Sequence, residues 1–304
     1  SDLVGIDDRA VGRMAAAYFK RRGYRNYGYV GNQDHPFSLL RHDGFEGVLK
    51  AHGYGVDALM HASPEQSGTS ERRVVYHQSI GKWLAKLPKP LAVFTANDVD
   101  ALSVVQAATE VGLDVPTDVS VMGAGDDPLV CKLCAPEISS VKLPFYRLGS
   151  KAVELLMQSL RPKKNNGRPP PVELPPVTTI TRGSSNYQHI DDPEVARAVD
   201  YFQSHIEEPI KIKDLLLELG TSRAHLEQRF KDALGHTPLV ELRRLRIERA
   251  CRLLADTSLN NAEIAERCGI TSNIRFVTSF KQLVGTPPAQ YREDFHTENI
   301  GSSS

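Results

Sequence analysis

The strongest constraint in this sequence is a change of hydrophobic period near residue 183. Before it, short apolar runs alternate with amphipathic stretches. The runs 26–31, 90–95 and 119–124 are almost continuously apolar, as strands buried on both faces must be. Shorter runs at 3–6 and 177–181 read as further strands. Between them lie helical patterns. Val11, Met14, Ala15, Tyr18 and Phe19 share one face, with Asp8 placed to cap the helix and Gly23 to stop it. The stretches 39–52, 70–87, 99–111 and 146–160 follow the same rhythm. Such alternation predicts parallel βαβ units. From 193 to 293 the period is helical throughout, in about seven pieces joined by short turns. One core cannot serve both patterns, so the chain reads as an α/β domain over 1–182, a linker over 183–192 and an all-α domain over 193–297. A polar, proline-rich stretch at 161–171 interrupts the first domain without ending it.

A length of 304 residues suits two domains. No run approaches the roughly 18 apolar residues of a membrane span, and the first residues carry no signal pattern. The four cysteines are too few for a disulfide framework, and Cys131 and Cys134 lack a second pair at zinc-like spacing. No G-x-S-x-G elbow, phosphate-cradling loop or HExxH motif is present, so no enzyme, metal or cofactor is expected. Net charge is zero, and 193–295 holds fifteen basic and fifteen acidic residues. Bulk charge therefore gives no sign of a nucleic-acid partner.

Motif architecture does. In the all-α half one unit occurs twice. Residues 212–220 form a short apolar-faced helix ending in Gly220; Thr221 and Ser222 make a turn; 223–234 form a second helix. Residues 261–269, 270–272 and 273–283 repeat the plan, and a long helix over 239–254 separates the two units. A helix, a glycine-containing turn and a serine-capped second helix make a helix-turn-helix. Ile264, Ala265, Cys268 and Gly269, followed by Arg275, Phe276, Phe280 and Lys281, then Gly285-Thr-Pro-Pro288, Tyr291 and Arg292, resemble the signature of AraC-type regulators. Leu226, Phe230, Lys231 and Gly235 to Pro238 repeat part of it. The resemblance implies two recognition helices entering adjacent major grooves of double-stranded DNA. Phe230, Phe280, Leu226, Ile264 and Leu215 fall at core spacing. The residues able to reach base edges are Arg223, Ala224, Glu227 and Gln228 in the first unit, and Ser272, Asn273, Ile274, Arg275 and Thr278 in the second. Lys231 and Lys281 suit phosphates or solvent. Arg243, Arg244, Arg246 and Arg249 interleave with Glu241 and Glu248 and read as a salt-bridged face.

Three spots in the α/β half resemble the lac-repressor and periplasmic sugar-binding family: 40–45 with Arg41, 95–98 with Asn97, and 119–126 with Asp126. The family places a ligand acid after a Gly-x pair. Here Gly125 falls at that position, leaving Asp126 or Asp127 to serve. All three spots follow strand carboxyl ends, where open α/β sheets bind ligands. A sensor of this kind ahead of an AraC-type reader resembles the xylose operon regulators. It implies a cytoplasmic transcription regulator answering to a sugar such as xylose, an activator by family habit. It would be homodimeric at full length and would work with RNA polymerase. A ligand-independent repressor or architectural protein is the alternative. The family's sensors have two lobes, and the strand at 26–31 already opens the second. The sequence therefore reads as lacking about a hundred residues of the first lobe if domain sizes are ordinary. On that reading the faces of Val11, Met14, Tyr18 and Phe19 find no partner, and the cleft is half present.

Overall fold

A computed structural model describes residues 4–62, 70–160, 171–190 and 192–293. The proline-rich 161–170, residue 191 and the end of the second domain beyond 293 lie outside the described residues. The chain divides into two compact units, 1–187 and 188–304.

In the first unit the runs read as strands are β2 (Asn26–Asn32), β4 (Leu91–Thr95) and β5 (Val119–Gly125). They pair in parallel at the centre of a six-stranded sheet of order β3-β2-β4-β5-β6-β8. The outer members are β3 (Val56–His61), β6 (Ser139–Lys142) and β8 (Thr178–Ile180), with β8 antiparallel to β6. Two of these have no apolar signature. β3 is an edge strand with half-exposed side chains, and β6 buries Ser139, Ser140 and Lys142. Separately, β1 (Val4–Ile6) pairs in parallel with β7 (Val172–Leu174). Helices α1 (Asp8–Arg21), α2 (Pro36–Lys50), α3 (Ser70–Lys86), α4 (Asp98–Glu110), α5 (Pro128–Cys131) and α6 (Phe145–Ser159) complete the unit.

The structure corrects the reading of α1. Its cap is Asp7, whose carboxylate accepts from the Ala10 amide at 2.8 Å, rather than Asp8. Nor does its apolar face lack a partner. Val11 and Phe19 are fully buried and Tyr18 nearly so, in the core formed by α1, α2 and the sheet, and Met14 packs against it. The helix covers one face of the six-stranded sheet, so these residues do find a partner. α1 and α2 meet backbone to backbone: a Cβ on Gly12 would lie 2.0 Å from the Arg41 carbonyl oxygen, and one on Gly44 2.1 Å from that of Arg9. The presumed linker is also divided. Ser184 and Ser185 are buried in the first unit, where the Ser184 hydroxyl donates to the Val121 carbonyl at 2.7 Å, and the unit runs to Tyr187.

The second unit comprises α7 (Pro193–Ser204), α8 (Ile212–Leu219), α9 (Arg223–Leu234), α10 (Pro238–Asp256), α11 (Asn261–Arg267), α12 (Asn273–Val284) and a helical segment at 288–293. Val195, Val199, Phe202, Leu215, Leu226, Phe230 and Leu242 form the core of a first lobe. Ile264, Phe276, Phe280 and Tyr291 are buried in a second, with the Phe280 ring 5.8 Å from Phe276 and 5.3 Å from Tyr291. Packing of this kind, more than propensity, holds such short helices. The 19 residues of α10 run about 28 Å between the lobes. Among the described residues no helix is long and apolar enough to cross a membrane.

Candidate DNA-reading surface and effector site

The two helix-turn-helix units are built by the same local rules. α8 ends on Gly220 at φ 65°, and α11 is followed by Gly269 at φ 64°, left-handed conformations that favour glycine. Ser222 caps α9 by accepting from the His225 amide at 3.3 Å, and Ser272 caps α12 by accepting from that of Arg275 at 3.4 Å. Asn260 and Glu263 form a reciprocal capping box at the start of α11. With Phe230 and Phe280 facing inward, the opposite faces of α9 and α12 stand in solvent. Arg223, Ala224 and Gln228 are exposed on α9, and Glu227 is half-buried. On α12, Asn273, Arg275 and Thr278 are exposed, and Ile274 is 80% exposed. An aliphatic side chain held in water at the tip of a helix suits a thymine methyl.

Not all nine residues are equally available. Ser272 is half-buried and accepts as the cap of α12, so its hydroxyl proton is what it keeps to offer a base. The Thr278 hydroxyl donates to the Ile274 carbonyl at 2.9 Å and keeps only its acceptor side outward. Arg223 pairs with Glu227 at 2.8 Å in the open, a contact worth a few tenths of a kcal/mol and readily exchanged for DNA. Of the basic run on α10, Arg244 pairs with Glu241 and Glu248 as expected. Arg246 and Arg249 do not; each turns to a backbone carbonyl.

In the first unit Asn97 and Asp126 follow the carboxyl ends of β4 and β5, Arg41 reaches them from within α2, and each of the three has protein partners. Arg41 is 5% exposed. Its Nε and Nη2 approach Asp8 at 2.8 Å, and its Nη1 donates to the Ala96 carbonyl at 2.5 Å. Those contacts leave N–H groups over from the five of a guanidinium. Asn97 caps α4: its Oδ1 accepts from the Asp100 amide at 2.8 Å and its Nδ2 donates to the Asp100 carboxylate at 3.0 Å. Asp126 sits at φ 62°, and its carboxylate takes Arg182 at 2.6 Å and Lys142 at 3.8 Å. Asp127 instead caps α5, so of the two acids Asp126 is the one turned inward.

Sequence reasoning missed several neighbours. Asp98 is buried. It accepts from the Ser140 hydroxyl at 2.6 Å and the Asp127 amide at 2.9 Å, while burial holds its pKa above the ordinary value despite those bonds. Asp100 accepts from Tyr76 at 3.1 Å and contacts His61 Nε2 at 3.2 Å. Burial opposes a charge on His61, but the hydrogen bond and charge of Asp100 outweigh it and raise its pKa. Asp98 stands beside Asn97 in the motif that singled Asn97 out. His61 and Lys142 lie on β3 and β6, which have no apolar signature, and Arg182 lies just beyond β8; none of the three had a signal of its own. Among the described residues no group of three His, Cys, Asp or Glu side chains is arranged to hold a metal.

The periplasmic binding protein-like domain model matches residues 16–185, and a helix-turn-helix domain model matches 215–294. The chain is 27% identical over 292 residues to the xylose operon regulatory protein of Haemophilus influenzae, covering 95% of this chain and 74% of that protein. The Escherichia coli xylose operon regulatory protein is 27% identical over 295 residues, with 95% and 73% covered. A solved structure of the xylose-binding transcription activator xylR superposes with a TM-score of 0.54 at 26% identity, covering 95% of this chain and 76% of that one. The chain belongs to the periplasmic binding protein-like family, carries a helix-turn-helix domain behind that sensor, and is a relative of the xylose operon regulatory proteins.

Proposed function

We propose that the protein is a transcription regulator that reads DNA through α9 and α12 and answers to a sugar bound at the carboxyl edge of the α/β sheet. The observation that carries the DNA reading is the repeated unit: two identically capped helices on one α10, each exposing polar and apolar tips. Arg223, Ala224, Glu227, Gln228, Ser272, Asn273, Ile274, Arg275 and Thr278 are the base-reading set. A pentose such as xylose is the proposed effector, on the strength of the relatives' names and of Arg41, Asn97 and Asp126. Activation through RNA polymerase, a homodimer and a cytoplasmic place belong to the same reading. So does the absence of catalysis. A ligand-independent DNA binder is the second reading, favoured by the protein partners that already occupy all three effector residues.

Selection of bound fragments from random DNA, followed by titration with D-xylose and other pentoses, separates these. Selection of a defined sequence whose affinity changes on pentose binding supports the first reading. A defined sequence with no heat of binding for any pentose supports the second, and no enriched sequence removes both. On the selected site, Arg275→Ala is expected to cost about 1–3 kcal/mol and to relax preference at one base pair. Equal weakening on random DNA would make Arg275 a phosphate contact. Binding should also fall steeply with salt despite the net charge of zero, because local Lys and Arg displace counterions from phosphates. A flat plot of log K against log salt would exclude DNA as the partner.

A further inference from the structure

Two arginines on α10 hold segments from both lobes of the DNA-reading unit. Arg246 Nη2 donates to the Glu208 carbonyl at 2.6 Å, in the turn after α7 of the first lobe. One helical turn on, Arg249 Nε donates to the Arg267 carbonyl at 2.9 Å, at the end of α11 in the second lobe. The Arg249 Nη2 also pairs with the Glu207 carboxylate, back in the first. Between these contacts the turn of the second helix-turn-helix touches the first lobe directly. A Cβ on Gly269 would lie 2.6 Å from the carbonyl oxygens of both Ile206 and Glu208, and 2.7 Å from Arg246 Nη2. Ile206 itself belongs to the first lobe's core.

The geometry points to Arg246, Arg249 and Gly269 as a bracket that joins the two helix-turn-helix lobes into one rigid reading head and fixes the spacing of the two DNA segments it accepts. The inference rests on the DNA-reading function proposed above. Were α10 the only connection, each lobe could swing by bending or fraying that helix. The bracket adds a second line of contact beside it, and a guanidinium is suited to the task because its planar fork donates in several fixed directions at once. A rigid head is selective for spacing. Inserting one base pair between the segments moves the second by about 3.4 Å and turns it by roughly 34–36°, which a fixed pair of helices cannot follow. These are positioning residues; neither arginine needs to touch DNA.

The test has two arms, both in the 304-residue chain. Nitroxides are placed at Asp232→Cys and Gln282→Cys, exposed sites on α9 and α12, with the half-buried Cys134 and Cys251 changed to alanine. The distance distribution in the DNA-free protein should be narrow, and Arg246→Met with Arg249→Met should broaden it about twofold at unchanged helix content. On the selected operator, a one-base-pair insertion should weaken the parent about tenfold or more and the double variant about twofold to threefold. Glu207→Ala, which removes a single exposed arm, should move both readouts part of the way and guards against simple unfolding. Arg249→Lys keeps the charge but not the fork, and should restore little. Unchanged width together with unchanged spacing preference in folded double variant overturns the bracket. Failure to select any DNA would instead strike the function on which it rests, leaving the distance measurement to decide the bracket alone.

Discussion

Phe280→Ala is expected to destabilise the second helix-turn-helix by about 3–5 kcal/mol, the range for removing a buried aromatic ring. The ring is fully buried between Phe276 and Tyr291, and α11 and α12 are short helices with little stability of their own. A loss of that size is a large fraction of the roughly 5–15 kcal/mol that holds a typical domain. Thermal unfolding followed by circular dichroism should show an early transition confined to the carboxy-terminal unit, and sequence-specific binding should vanish while weak binding by the first lobe persists. Retained operator affinity with a single, unshifted transition would show that this ring is not what keeps α12 in place.

The second large effect is one of pH. Glu241 is fully buried at the start of α10, bonded by Arg244 and in contact with His236 at 3.2 Å. Burial by itself would raise its pKa. The hydrogen bonds from His236 and Arg244 and the Arg244 charge outweigh that and push it down to about 2 from an ordinary 4.5. A carboxylate whose folded pKa is depressed adds stability that is complete above the unfolded value and lost as pH falls through the folded one. The carboxy-terminal unit should therefore lose about 3 kcal/mol between roughly pH 5 and pH 2, counting about 1.4 kcal/mol for each pK unit. Glu241→Gln should be destabilised by several kcal/mol at pH 7, since it takes the buried carboxylate away from both Arg244 and His236, and should be much flatter below pH 5. Parallel acid-stability curves for the parent and Glu241→Gln would show that this carboxylate is not linked to folding.

What could be read from the residues divides along the kind of signal they carry. β2, β4 and β5 announced themselves because strands buried on both faces are apolar throughout. β6 did not, because Ser139, Ser140 and Lys142 are buried through side-chain bonds that composition cannot reveal. The helix-turn-helix units were legible almost to the residue, since glycine turns, serine caps and inward phenylalanines are local devices. Arg41, Asn97 and Asp126 were singled out by resemblance as candidates, but their partners Asp8, Asp100 and Arg182 come from distant points in the chain or, for Asp100, from a cap geometry hidden in the motif. The partners of Arg246 and Arg249 were misread for the same reason: helical spacing suggested Glu241 and Glu248, whereas the fold supplies carbonyls from two other segments and, for Arg249, the carboxylate of Glu207.

The pairing of Asp8 with Arg41 and of Arg182 with Asp126 has a bearing on selectivity. Along that strand edge four carboxyl groups, Asp8, Asp98, Asp100 and Asp126, face three cations, Arg41, Lys142 and Arg182, with His61 beside them. Each of those three cations already faces a carboxylate. An uncharged polyol can exchange hydrogen bonds with such a rim at little electrostatic cost, whereas its phosphate ester would bring about two negative charges to acids already committed. On the proposed reading, a sensor so built would distinguish a free sugar from its phosphorylated form by repulsion, without needing a contact that recognises the difference.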